Sequence, residues 1–185
     1  IKAVQMYVAF EAGAYPGSPV AGGTNCVLGP YKVESFKIDG YDVVVNKPKT
    51  SAYRAPGAPI TAYALEPVID EIAKKLDMDP MEFRLKNATE EGDRNVNGVA
   101  YQKIGCIEVE EAIMASEHYN SPLDGPNRGR GVAMGYWGNA GLQSSATIVV
   151  NTDGTINLIT GSVDIGGTRV SVAMQAAEIL GIETE

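Results

Sequence analysis

The sequence predicts an α+β fold, and three patterns point to it. Apolar residues alternate with period two near the start and again after residue 131, which marks strands. Over 60–76 and again over 107–119 the apolar spacing is helical, with a polar, irregular stretch at 89–105 between them, and no internal repeat is present. Short strands and helices in separate runs imply small mixed sheets packed with helices. They fall into two lobes, 1–124 and 125–185, with the boundary in the Gly/Pro-rich stretch Ser121 to Gly131.

Residues 1–12 read as a strand through Val4, Met6, Val8 and Phe10, and Gly13 to Gly23 reads as a loop. Gly29-Pro30 is a turn, followed by short strands at 31–38 and 41–45 around Asp39-Gly40, a dipeptide that suits a hairpin. A proline-bearing loop, 46–59, precedes a helix over 60–76, which Pro67 should kink or divide. Asp79-Pro80-Met81-Glu82 is a helix start, with Asp79 as N-cap, Pro80 at N1 and Glu82 closing a capping-box-like arrangement. Residues 107–119 read as one amphipathic helix and 131–137 as an alternating strand. The strands 145–151 and 155–162 flank the turn Thr152-Asp153-Gly154, and a helix spans Val170 to Leu180.

Composition narrows the function. Of 185 residues, 44% are apolar, enough for a core, and 15 basic against 23 acidic side chains give a formal charge of −8. No Lys/Arg cluster tracks a phosphate backbone, so nucleic acid is disfavoured. Cys26 and Cys106 lie far apart, and His118 is the only histidine, which excludes a Cys/His-ligated zinc or iron–sulfur centre within the chain. That cysteine usage fits a reducing, cytoplasmic setting, and no apolar run is long enough for a membrane span. The chain opens on Ile1 inside a strand-like run and closes just after a helix, which reads as a piece of a larger protein.

Three segments are candidates for chemistry. At Asp164-Ile165-Gly166-Gly167-Thr168-Arg169 a glycine turn opens a helix, where unpaired amides favour an anion, with Thr168 and Arg169 adding a hydroxyl and a charge. The competing reading is a plain helix start with Thr168 as N-cap. In Ala52-Tyr53-Arg54-Ala55-Pro56-Gly57-Ala58-Pro59, prolines stiffen a loop that forms one wall of a pocket. Against that, Arg54 serves only as an ion-pair partner for Glu66 or Asp70. Tyr136 and Trp137, leading into Gly138-Asn139-Ala140-Gly141, read either as an aromatic rim or as core.

Residues 52–59, Glu66, Ile69-Asp70-Glu71-Ile72-Ala73 and the run Asp79-Pro80 to Asn87 resemble the molybdenum-binding large subunit of the xanthine dehydrogenase and aldehyde oxidoreductase family. Asn151-Thr152-Asp153-Gly154-Thr155, Asp164 to Gly167 and Gln175 to Gly181 resemble the same subunit further on. The resemblance implies a molybdopterin enzyme that hydroxylates an aldehyde or N-heterocycle carbon with oxygen from water. Electrons then leave through iron–sulfur clusters and FAD on partner domains or subunits. It implies that the pterin, not the protein, holds molybdenum, so no metal-ligating residue is expected. It assigns Tyr53, Arg54, Ala55, Pro56, Tyr136 and Trp137 to the substrate pocket. Asp164, Gly166, Gly167, Thr168 and Arg54 fall to the cofactor.

Three departures qualify it. Gly167 replaces a glutamine of the family's cofactor loop, and Pro56 stands where purine hydroxylases carry a stacking aromatic. The glycine-rich GGFG-type loop and the Gly-Glu motif bearing the catalytic base are both missing from the sequence. No catalytic residue is therefore expected within these residues, and the piece alone is expected to be inactive and to self-associate. Its expected partners are the rest of the molybdenum subunit, the electron-transfer parts and a small-molecule substrate; a catalytically silent structural module of the same fold is the alternative.

Overall fold

A computed structural model describes residues 1–138 and 143–184. The chain divides into two compact units, Ile1–Gly138 and Asn139–Glu185. In the first, β1 (Ala3–Gly13) is followed by α1 (Val20–Cys26) and β2 (Ser35–Val44). β1 and β2 pair in parallel, Ala3 opposite Ser35 and Phe10 opposite Asp42. A parallel pair needs a crossover, and α1 is that crossover.

This corrects two sequence expectations. Asp39-Gly40 is not a hairpin turn but the middle of one continuous strand. The glycine is there because a Cβ at position 40 would lie 2.9 Å from Thr24 Cγ2 of α1. Within 13–23, α1 forms despite Gly22 and Gly23, which have weak helix propensity. A Cβ on Gly22 would collide with the Pro56 carbonyl oxygen, and one on Gly23 would lie 2.8 Å from Thr61 Cγ2. Close packing requires what local propensity disfavours.

α2 (Ala58–Lys75) runs unbroken through Pro67. α3 (Pro80–Lys86) is capped by Asp79, whose carboxylate accepts from the Met81 and Glu82 amides at 2.7 and 3.1 Å. The expected helix 107–119 is two helices, α4 (Cys106–Ala115) and α5 (Glu117–Asn120). Ser116 separates them: its hydroxyl donates to Ile113 O and accepts from Tyr119 N–H, so it closes one helix and caps the next. The core of this unit gathers Val27, Leu28, Tyr31, Leu65, Ile69, Ala73 and Phe83. Residues 131–137 are not a strand; they run without a ladder partner and bond instead to side chains of α2 and α3.

The second unit holds β3 (Ala146–Val150), β4 (Ile156–Thr160) and α6 (Thr168–Leu180). β3 and β4 form the expected antiparallel hairpin, closed by Gly154 at φ 86°. Gly181, at φ 67°, terminates α6 in the left-handed conformation that glycine adopts without steric cost. Among the described residues, no helix is long and apolar enough to cross a membrane.

Candidate functional site

In the first unit the loop before α2 is held in a strained path. Ala55 has φ 57°, an uncommon conformation for a residue with a Cβ, and Gly57 has φ 84°. The Ala55 carbonyl accepts from Ala58 N–H at 3.1 Å. A Cβ on Gly57 would strike the Pro19 carbonyl, so α1 fixes the loop from behind. Strain of this kind persists only where surrounding contacts enforce it.

Ala55 opens onto an apolar concavity of about 320 Å³ lined by Ala55, Ala58, Pro59, Ala62, Gly135, Tyr136 and Trp137. Tyr136 meets Tyr101 edge-to-face at 5.6 Å between ring centroids, a favourable aromatic geometry. Its ring also fills the space where Gly29 would carry a Cβ. Tyr136 is thereby fixed on two sides, while Trp137 stays half-exposed.

Of the expected pocket residues, the structure brings together Ala55, Tyr136 and Trp137. Tyr53 and Arg54 stand in solvent beside this concavity's loop, and the Pro56 carbonyl faces Gly22. Asn139 to Gly141, expected as part of a turn after Trp137, lie outside the described residues. Ala58 and Pro59 fall within the segment expected as a pocket wall, whereas Ala62 was missed. Its signal was present, since Ala58 and Ala62 lie four apart on one helix face.

A buried polar cluster joins α2, α3 and Tyr31. Arg84 is fully buried, and Glu66 is 4% exposed. Arg84 Nε and Nη2 donate to Glu66 Oε2 at 3.1 and 2.9 Å, and Nη1 reaches Asp70 at 2.7 Å. Tyr31 OH donates to Glu66 Oε1 at 2.5 Å. Burial first, and the Glu66 carboxylate next, push the Tyr31 phenol well above its ordinary value. The basic partner of Glu66 and Asp70 is thus Arg84, not Arg54.

In the second unit, Asp164 Oδ1 accepts from the amides of Gly166, Gly167 and Thr168 at 2.9, 3.0 and 3.2 Å. Those bonds, Gly166's foremost, hold the Asp164 carboxyl below its usual range. The turn does gather amides that favour an anion. The expectation that they are free is not met, because the chain's own carboxylate occupies them. Nor is Thr168 the N-cap: Gly167 takes that position, at φ 91°.

Molybdopterin offers a test of these residues, since it presents anionic and strongly hydrogen-bonding groups. The exposed Arg54 guanidinium suits such a group, and a Cβ on Gly167 would meet nothing within 4 Å, so the glycine turn has an open backbone face. The residues fit with one restriction: a polar edge can lie across that face, but an anion enters the amide nest only by displacing Asp164.

Comparison with known proteins shows the family. Residues 1–88 and 99–185 each match the family described as molybdopterin cofactor-binding domain, and the chain belongs to that family. It is 31% identical over 199 residues to the xanthine dehydrogenase molybdenum-binding subunit of Escherichia coli O157:H7, covering 98% of this chain and 26% of that protein. The aldehyde oxidoreductase of Megalodesulfovibrio gigas is 30% identical over 171 residues, covering 84% of this chain and 18% of that protein. The crystal structure of the aldehyde oxidoreductase from Desulfovibrio desulfuricans superposes with a TM-score of 0.70 at 27% identity, over 98% of this chain and 22% of that one. The chain thus spans about a quarter or less of the proteins it matches.

Proposed function

We propose that this chain forms a cofactor- and substrate-binding part of a molybdenum hydroxylase that oxidises an aldehyde or N-heterocycle carbon with oxygen from water. The observation that carries the reading is the apolar concavity that Ala55, Tyr136 and Trp137 build on the strained loop before α2. Concave, mostly apolar sites with fixed walls are where small substrates bind. Bound molybdopterin supplies the two-electron redox chemistry.

The chain's own residues do the positioning. Arg54 offers charge to an anionic edge of the cofactor, and the stiff path through Ala55 to Gly57 holds its backbone in one geometry. Tyr136 and Trp137 present aromatic surface to a flat, uncharged substrate and exclude water from it. Among the described residues, the lining of the concavity is apolar and aromatic, and in this reading the proton-accepting group is supplied by another part of the enzyme. Iron–sulfur and flavin parts of the assembly carry the electrons away.

The test uses the enzyme that contains this segment. Arg54→Ala is expected to lower pterin content, read as the fluorescent oxidised pterin. Trp137→Ala is expected to keep that content and raise KM for an aromatic aldehyde by about tenfold, the effect of removing a large apolar contact. Unchanged pterin content and kinetics in both variants would sink the proposal.

A further inference from the structure

We propose that Glu66 is a positioning residue: through the Met134 amide it fixes the Tyr136–Trp137 wall at its distance from α2. The meaning for catalysis rests on the function proposed above; the positioning itself does not. Glu66 sits in α2, two turns beyond Ala58, and α2 contributes Ala58, Pro59 and Ala62 to one side of the concavity. The opposite side is carried by residues 131–137, which have no strand partner to hold them.

Two bonds hold that segment to the helices. Met134 N–H donates to Glu66 Oε2 at 2.7 Å, and Arg84 Nη2 donates to Val132 O at 3.3 Å. Both lead to the same buried ion pair, so one carboxylate oxygen is shared between Arg84 and the wall. Met134 lies two residues before Tyr136 in the same segment. Fixing its amide therefore fixes where the aromatic pair begins. Charge-assisted bonds of this kind, shielded from water, resist displacement more than neutral ones.

A purely stabilising role would be shared by every donor to Glu66. A positioning role of Glu66 runs through the Met134 bond, and Tyr31, which donates to the other oxygen, provides the control. Trp137 is the chain's only tryptophan, so its fluorescence reports on the wall without any cofactor. In the 185-residue chain, Glu66→Gln is expected to raise the acrylamide quenching constant of Trp137 about twofold, as a side chain 52% exposed moves to full exposure. Tyr31→Phe is expected to lower the melting temperature yet leave quenching at the wild-type value.

Because Glu66→Gln can fail to fold, the wild-type chain supplies a second readout. The Met134 amide is expected to exchange at least about tenfold more slowly than its unstructured rate, as a bond to a buried carboxylate requires. Exchange of Met134 at the unstructured rate would overturn the proposal. So would equal quenching in wild type and folded Glu66→Gln. Neither measurement depends on molybdopterin, so loss of the functional reading would leave this result standing, and the reverse.

Discussion

Cys106 and Glu110 lie one turn apart on α4, with Sγ 3.6 Å from Oε1, and Glu110 is completely buried with Oε2 unpartnered among the described residues. Burial, then the Glu110 charge, pushes the Cys106 thiol up to about 11. A raised value means the fold prefers the protonated thiol. Its contribution to stability is complete below the ordinary value of 9.0 and is lost as pH rises through about 11. The melting temperature is expected to fall over that window, and to fall less in Cys106→Ala. Glu110 behaves alike at lower pH, since burial raises its carboxyl above 4.5. Its contribution is present in acid and lost as pH rises through the folded value. Thermal unfolding should therefore show Glu110→Gln gaining on wild type as pH rises from 4.5; a difference that stays constant as pH rises from there would refute the assignment.

At the scale of elements, the capped start of α3 was legible because every part of it is local. Asp79, Pro80 and Glu82 sit within one helical turn, and the carboxylate needs only its own neighbours. Asp79→Ala is expected to cost about 1–2 kcal/mol in urea unfolding, the usual loss for a cap, with the Tyr119 hydroxyl bond at 2.6 Å adding to it. The Asp39-Gly40 strand was not legible, because its cause lies in α1. A dipeptide that favours a turn was overruled by the need to let Thr24 and Val20 cross the strand. The same limit hid the site: Ala55 and Tyr53 were equal candidates in sequence, yet only Ala55 faces the concavity. Glu66 was offered to Arg54 as an ion-pair partner, because its pairing with Arg84, 18 residues on, depends on how α2 packs against α3. The crossing makes a test. Gly40→Ala should destabilise although alanine suits a strand better than glycine, and Thr24→Ser, which removes the obstructing methyl, should recover most of the loss. An unchanged unfolding midpoint in Gly40→Ala would refute the packing argument.

For the whole molecule, the decisive contrast is between the interiors of the two units. The first buries Leu65, Ile69, Met81, Phe83 and their neighbours, whereas among described residues of the second only Ala177 is a buried hydrophobic. Ile148, Val149 and Val150 on β3, with Ile159 on β4, remain exposed. A two-stranded hairpin with so little apolar cover is marginal in water, because burial does not offset the entropy of ordering it. Local stability follows buried contacts, so amides of 146–150 and 156–160 are expected to exchange much faster than those of α2. The same exposed strands invite pairing with another copy, since unpaired edges and apolar faces are sticky together. Raising the concentration should therefore increase the mass seen by light scattering and slow exchange in those two strands while α2 stays constant. Hydrogen exchange followed by mass spectrometry over a dilution series reads both effects at once. A monodisperse monomer whose hairpin is as protected as α2 would show that the second unit is stable by itself, and would defeat the expectation at its root.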